Sequence, residues 1–245
     1  MRKIHVLTRK EEVDAQKIRH CTAVVIDVLL ATSTIAAALY HRARDIIPVA
    51  DQEEALQWAR TLPDRSYVMA GEKGGHTLGG FLKPCPVTLL RGDLAGKSII
   101  FSTTNGTVAI KKSMAAKTVY TSSLVNGSAV AKQIYRQADG SSIVIVCGGS
   151  HGRFASEDFL GAGYLITELV KETREAWSIS DSAKVALQFY QQRAASLEQA
   201  IRESDTGRLL STLGYDDAIR YVARAGCLDV VPRLVGHRLI ADVSE

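Results

Sequence analysis

A polar stretch in the middle of the chain carries the densest group of side chains that could do chemistry. It reads Ser102-Thr103-Thr104-Asn105-Gly106-Thr107, between an apolar run that ends at Phe101 and a helix-like run that begins at Val108. Free backbone N–H groups and the positive end of the dipole at a helix start favour an anion. The hydroxyls add donors, and the glycine allows close backbone approach. The stretch therefore predicts a site for phosphate or a similar oxyanion, although an ordinary helix N-cap has the same composition.

A single acid, Asp27, follows the apolar run Val24-Val25-Ile26 and precedes three hydroxyl residues, Thr32-Ser33-Thr34. A carboxylate in such a setting is costly unless it is paired, accepts hydrogen bonds or binds a metal. We therefore interpret Asp27 as a functional acid. The alternative is that Asp27 only accepts hydrogen bonds from backbone N–H groups of the turn that follows it.

Further acids follow two other apolar runs. Glu72 enters a glycine-rich segment, residues 71–86, and Glu157 and Asp158 open a helix-like segment that Arg153 precedes. Each acid also has a plain interpretation, because acids at a helix start compensate the dipole and Glu72 could be an exposed loop residue. Long irregular segments between core elements are nevertheless often functional.

Together these side chains match what hydrolysis of a phosphate ester requires. Carboxylate oxygens suit a hard cation such as Mg²⁺, whereas hydroxyls and an arginine suit a phosphoryl group. A hard metal beside an oxyanion cradle is the usual arrangement for phosphoryl transfer to water. The sequence has no G-x-x-x-x-G-K-[ST] motif and no G-x-G-x-x-G after a strand, which argues against a Walker-type NTPase and a dinucleotide site.

The composition is that of an ordinary globular chain. Its 245 residues are 46% hydrophobic and 23% charged, with a formal net charge of +4. This excess is too small and too evenly spread to predict nucleic-acid binding, and no stretch approaches the roughly 20 apolar residues of a membrane span. The four cysteines contain no C-x-x-C pair, so we expect a reduced, cytoplasmic protein. The expected partner is a small anionic phosphorylated substrate, and a homodimer is left open.

Short apolar runs alternate with helix-period segments, which is typical of an α/β fold. The predicted strands cover residues 4–7, 23–28, 45–49, 67–70, 98–102, 118–121 and 142–147, with a further short strand near 230–239. The predicted helices cover 33–41, 52–61, 106–114, 126–137, 157–172, 181–190 with an extension to 203, 206–213 and 216–225. We predict one domain over residues 1–245, a layered α/β/α fold with a largely parallel or mixed central sheet and a mainly helical C-terminal part.

Ligands of open α/β sheets lie beyond the carboxyl ends of the strands. Asp27, Glu72, Thr103 and Glu157 each follow a predicted strand closely. We therefore expect these distant turns to converge on one pocket.

Several of these blocks, taken together, resemble the 2-phosphosulfolactate phosphatase family. The matching blocks are residues 25–35, Gly71-Glu72, Ser102-Thr103-Thr104-Asn105-Gly106-Thr107 and a Gly-x-Phe-x-x-Glu-Asp stretch at 152–158. They occur in family order from about residue 24 to residue 163, with weaker similarity near residues 226–232. The combination is much more specific than any single block.

The resemblance implies a Mg²⁺-dependent phosphatase that hydrolyses 2-phospho-3-sulfolactate, or a related phosphorylated hydroxy acid, to 3-sulfolactate and phosphate. The acids predicted to be catalytic and to hold the metal are Asp27, Glu72, Glu157 and Asp158. The residues predicted to bind substrate are Thr32, Ser33, Thr34, Ser102, Thr103, Thr104, Asn105, Gly106, Lys83 and Arg153. Asp27 as a covalent nucleophile is an alternative to Asp27 as a metal ligand.

Two blocks depart from the family pattern. Leu30 stands where many relatives carry Arg, and residues 80–86 replace a more polar segment. Arg binds phosphate or sulfonate in a bidentate manner and Leu cannot, so Lys83, Arg153 or His76 is the candidate partner for the second anion. The second functional hypothesis is a non-catalytic anion-binding or regulatory module on the same fold.

Overall fold

The computed structural model describes residues 2–137, 139–172 and 177–242. Within these ranges, eleven strands form one sheet. They are β1 (Lys3–Leu7), β2 (Thr22–Ile26), β3 (Asp45–Val49), β4 (Tyr67–Lys73), β5 (His76–Thr77), β6 (Ser98–Ser102), β7 (Thr118–Ser122), β8 (Ile143–Cys147), β9 (Ser178–Ile179), β10 (Pro232–Val235) and β11 (Arg238–Ala241).

The α-helices lie between these strands and, after β8, make up most of the chain. They are α1 (Ala31–Tyr40), α2 (Gln52–Ala59), α3 (Pro86–Leu89), α4 (Gly106–Lys112), α5 (Gly127–Gln137), α6 (Ser156–Glu172), α7 (Asp181–Arg193), α8 (Leu197–Arg202), α9 (Asp205–Thr212) and α10 (Asp216–Val222).

The sheet contains two parallel groups of strands. The strand order is β5-β4-β6-β3-β11-β10-β7-β2-β8-β1-β9. Strands β3, β6 and β4 are parallel to one another, and so are β7, β2, β8, β1 and β9. Every residue of β2, β3 and β6 is buried, as expected for continuous apolar strands covered on both faces.

The C-terminal hairpin joins the two groups. β10 pairs with β7, β11 pairs with β3, and both pairings are antiparallel, as is the pairing within the hairpin. The hairpin turn is Gly236-His237, in which Gly236 has a φ of 60° that glycine adopts without a steric penalty. Three antiparallel pairings therefore separate the groups, so their strands run in opposite senses through the sheet.

Helix α1 lies in the middle of the molecule. Its residues from Ala31 to Leu39 are all buried, the pattern of a helix surrounded by protein on all sides. It contacts β3, β11, β10 and β7 on one side and α3 and α4 on others. Because one straight helix contacts four neighbouring strands, the sheet must curve around it.

The predicted α/β fold, with its mixed sheet and mainly helical C-terminal part, is confirmed. Several boundaries were wrong. The strand predicted over 23–28 ends at Ile26, the helix predicted from 181 to 203 is divided into α7 and α8, and the segment 71–86 contains the end of β4, all of β5 and the start of α3. The short strand predicted near 230–239 is the hairpin. Among the described residues, no helix is long and apolar enough to cross a membrane.

An ion-pair cluster fixes the hairpin to β3. Asp45 is 5% exposed, and its Oδ2 accepts a hydrogen bond from Arg238 Nη1 at 2.8 Å and lies 3.4 Å from Arg44 Nε. Arg238 Nη1 is also 3.4 Å from Ser98 Oγ. Arg238 thus links β11 to two strands of the first parallel group.

We expect Arg238→Met to lower the free energy of unfolding by roughly 1–3 kcal/mol, because it leaves a buried carboxylate with one less cation. Urea denaturation measures this. The matched control is Arg220→Met, which removes an exposed i,i+3 pair with Asp217 and should cost less than about 0.5 kcal/mol. Equal losses for the two variants would contradict the proposed role of the cluster.

Candidate active site

One cavity collects residues from the carboxyl ends of strands in both parallel groups. Asp27 follows β2, Glu72 lies near the end of β4, and Thr103, Thr104 and Asn105 follow β6; all five line the cavity. Its volume is about 80 Å³, enough for several water molecules or a small ligand. The structure therefore brings Asp27 together with the threonine pair, as the convergence of turns required.

The opposite wall was not foreseen from the sequence. It contains apolar and weakly polar residues from the turn after β2, the turn after β8 and the C-terminal helices. The wall residues are Leu29, Leu30, Ala31, Pro84, Ser150, His151, Thr206, Leu209, Leu210 and Tyr215, with Gly74 and Gly75 beside Glu72.

Asp27 is the most strongly perturbed group of this cavity. Its side chain is buried, with the residue 6% exposed. Burial raises the pKa of Asp27 to about 7, and the negative charges of Glu72 and Glu157 add to this; the Ala31 N–H and the charge of Lys10 oppose it. A carboxyl group whose pKa lies near neutrality can exchange a proton or accept a cation at physiological pH.

Two glycines create the space that Asp27 occupies. A Cβ on Gly106 would overlap that of Ala31 and lie 2.7 Å from Asp27 Oδ2. A Cβ on Gly148 would lie 3.1 Å from the Asp27 Cβ. The glycine in the polar stretch is therefore needed for close packing of α4 against Asp27.

Glu72 accepts hydrogen bonds that the sequence assigned to a phosphate. Its Oε1 accepts from the Thr104 N–H at 2.6 Å, and its Oε2 accepts from the Thr104 hydroxyl at 2.9 Å and the Gly75 N–H at 2.7 Å. The Thr104 hydroxyl also accepts from the Gly74 N–H at 2.8 Å. A carboxylate thus lies where the polar stretch predicted an oxyanion.

Asp158 connects two of the strand-end turns. Its Oδ1 accepts from the Val28 N–H at 2.8 Å, and its Oδ2 accepts from the Gly149 N–H at 3.0 Å. Burial and the charges of Asp27 and Glu157 raise the pKa of Asp158 well above its usual range. Glu157 is buried as well and lines the neighbouring cavity rather than the one that contains Asp27. A role for this pair as metal ligands stays a prediction.

The hydroxyls of Thr32, Ser33 and Thr34 are engaged within their own turn. They donate to the carbonyl oxygens of Asp27, Val28 and Leu30, respectively, each at 2.8 Å. Binding of substrate by these hydroxyls stays a prediction, and in this structure they shape the turn that carries Asp27.

The polar stretch itself is partly self-bonded. The Thr103 N–H donates to Thr107 Oγ1 at 3.0 Å, and the Thr107 N–H donates to Thr103 Oγ1 at 3.1 Å. Ser102 is buried at the end of β6, and Gly106 begins α4. Thr103 and Asn105 are the members of the stretch that line the cavity together with Thr104.

Lys83 and Arg153 do not line this cavity. The Lys83 ammonium lies 3.5 Å from the centre of the Tyr215 ring, so it backs a residue of the wall. Arg153 lines the neighbouring cavity with Glu157. Both assignments as substrate contacts remain predictions that would need these side chains to move.

Lys10 is a site residue that the sequence did not reveal. It is 6% exposed, and its Nζ donates to Asn105 Oδ1 at 2.8 Å and to the Gly148 carbonyl oxygen at 3.3 Å. It also pairs with Glu11 at 3.1 Å. Lys10 follows β1 closely, so the rule applied to the other strands would have found it.

The acids of the cavity fit Mg²⁺ in one mode. Within the described ranges, no group of three or more acidic, histidine or cysteine side chains is arranged to hold a metal ion. Mg²⁺ is usually held by one or two carboxylates, with water and substrate phosphate at the remaining positions. Asp27, buried beside the charges of Glu72 and Glu157, supplies one such carboxylate with cavity space in front of it.

The family model described as 2-phosphosulpholactate phosphatase matches residues 7–237 of the chain. The chain belongs to this family. The resemblance found in the sequence is thereby confirmed, as is the predicted class of enzyme, a phosphoric monoester hydrolase.

Curated relatives match over nearly their whole length. A protein of Clostridium beijerinckii is 32% identical, covering 94% of this chain and 95% of its own. One from Clostridium perfringens is 35% identical over 94% and 92%, and one from Parasynechococcus marenigrum is 36% identical over 86% and 87%. Each is named a probable 2-phosphosulfolactate phosphatase.

For this family member we expect Gly106→Ala to lower the free energy of unfolding by roughly 1–3 kcal/mol, because the new methyl group overfills the contact between α4 and Asp27. Thermal and urea unfolding measure this. The control is Gly79→Ala, where a Cβ would meet nothing within 4 Å. A neutral Gly106→Ala would contradict the close packing described above.

Stability in EDTA should depend on pH through Asp27. Because burial raises the folded-state pKa of Asp27 to about 7, the unfolded chain releases this proton first, and stability falls as pH rises from about 4 to 7. Asp27→Asn removes this loss, so its advantage over the wild type should grow from pH 4 to pH 8, reaching a few kcal/mol on the order of. Urea midpoints across that range test this, and a constant difference would contradict it.

Proposed function

We propose that the chain hydrolyses a phosphate monoester of a 2-hydroxy acid, the class to which 2-phospho-3-sulfolactate belongs, and that it requires Mg²⁺. The observation that carries this proposal is the cavity at the strand ends, in which a buried Asp27 faces the Thr103 to Asn105 turn. The names of the curated relatives support the choice of ester.

Asp27 acts at the centre of the reaction, with Glu72 and Glu157 as its neighbouring acids. These carboxylates would hold Mg²⁺ directly or through water, and the ion when bound supplies charge to polarise a phosphoryl oxygen. Without a cation, Asp27 carries much of its proton near pH 7. Occupancy of the site by a cation and ionisation of Asp27 should therefore favour each other.

The turn after β6 binds the phosphate. The Asn105 side chain receives a hydrogen bond at Oδ1 from Lys10, which fixes the amide and leaves its N–H₂ group as a donor. The Thr103 hydroxyl and the Ser150 and His151 side chains line the same space. Donors held in place before the reaction stabilise the spread charge of the transition state better than mobile water does.

The wall opposite the acids limits access of water. Leu29, Leu30, Leu209 and Leu210 place apolar surface around the reacting group. Electrostatic interactions between the phosphate and its donors are stronger in such surroundings than in bulk water.

We expect Asp27→Asn to reduce phosphate release from 2-phospho-3-sulfolactate or 2-phospholactate by at least about 100-fold, the lower range for a group that acts in the transition state. EDTA should abolish the wild-type activity, and added Mg²⁺ should restore it. The assay is release of inorganic phosphate under saturating substrate.

The control variant is Asp93→Asn, which makes the same chemical change at an exposed acid outside the cavity and should retain wild-type activity. Near-normal turnover of Asp27→Asn would overturn the assignment. Thermal stabilisation by these esters without any phosphate release would instead support the non-catalytic binding module.

A further inference from the structure

The lining of the Asp27 cavity contains acids but no lysine or arginine. Of its described lining residues, Asp27 and Glu72 carry negative charge, and His151 is the one side chain that can become cationic. A sulfonate is charged at all ordinary pH values, and Arg is the side chain that binds such a group best. The cavity thus offers no strong cation to a second, permanently charged end of a substrate.

The cations nearest the cavity already have partners. Lys10 is buried behind Asn105 and pairs with Glu11. Lys83 lies over the outer face of the Tyr215 ring, a cation–π contact that occupies its charge. Arg208, on α9, pairs with Asp205 at 2.5 Å. None of these three side chains lines the cavity.

The surface that would receive the rest of the substrate is apolar. It is made by Leu29 and Leu30 after β2, by Pro84, and by Leu209 and Leu210 on α9. An anion placed against such surface loses hydration without gaining a partner, whereas an alkyl group gains from the same burial.

From this lining we infer that the enzyme prefers O-phosphorylated 2-hydroxy acids whose side chain is an uncharged alkyl group over those whose side chain carries a sulfonate. The inference rests on the proposed phosphatase function and specifies its substrate class. The alkyl group packs against Leu30, Leu209 and Leu210, while the phosphate meets the Thr103 to Asn105 turn.

The test compares two esters that differ at one position. 2-Phospholactate has a methyl group where 2-phospho-3-sulfolactate has a sulfomethyl group. With Mg²⁺ at pH 8, where histidine is largely neutral, we expect kcat/KM to be at least about 10-fold higher for 2-phospholactate, the effect of one unpaired charge in an apolar contact. Higher kcat/KM for the sulfonated ester would overturn the inference.

Variants of the wall add a second readout. Leu209 is 47% exposed, so Leu209→Arg adds a cation to the wall with little risk to folding. It should shift the kcat/KM ratio toward the sulfonated ester by about 10-fold. The control Val185→Arg adds the same charge at a residue that is 54% exposed on α7 and outside the cavity, and it should leave the ratio unchanged. Equal shifts for both variants would count against the inference.

Binding is measured separately, so that the two proposals fail in different ways. Thermal stabilisation by each ester reports affinity whether or not phosphate is released. If neither ester is hydrolysed, the proposed function fails, and the order of stabilisation still decides the inference. Stronger stabilisation by 2-phospholactate supports it, and stronger stabilisation by 2-phospho-3-sulfolactate, or equal stabilisation, contradicts it.

Discussion

The burial of the Asp27 carboxylate beside other acids is the constraint on which the site depends. A buried carboxylate near Glu72 and Glu157 is disfavoured by lost hydration and by like charge. The surrounding structure holds it there: Gly106 and Gly148 leave room only for hydrogen at their Cα atoms. Such an arrangement lowers stability in exchange for reactivity, which is the usual relation between an active site and its fold.

The other acids have distinct positions within this arrangement. Asp158 closes the turns after β2 and β8 by accepting from Val28 and Gly149. Glu72 closes the turn after β6 onto the end of β4 by accepting from Thr104 and Gly75. Each hydrogen-bonded acid therefore fixes two chain segments against each other, and Asp27 is left facing the cavity between them.

Sheet geometry explains how strand ends from two groups reach one cavity. The strands of the two groups run in opposite senses, so a flat sheet would place Asp27 and Thr103 at opposite edges. Five steps in the sheet separate β2 from β6, and at about 20–25° of twist per step they rotate by roughly 100–125°. Together with the curvature around α1, this twist turns both carboxyl ends toward the N-terminus of that buried helix.

The sequence allowed the strand ends and the acids to be predicted because both are local signals. Continuous apolar runs revealed β2, β3 and β6, and Asp27 and the polar stretch directly follow two of them. The joining hairpin was only partly predicted, since β10 and β11 are four residues each and pair with strands far away in the chain. Tyr215 and the leucines of α9 gave no signal, because an amphipathic helix does not reveal which cavity its apolar face covers.

This division has a consequence for how the enzyme can change. The reacting groups lie at the ends of sheet strands, whose register is fixed by pairing on both sides. The facing wall comes largely from Leu209, Leu210 and Tyr215 in the C-terminal helices, where Leu209 is half exposed and makes no contribution to strand pairing. Substitutions there can alter what the cavity accepts without moving Asp27, so chemistry and substrate choice are carried by separate parts of one chain.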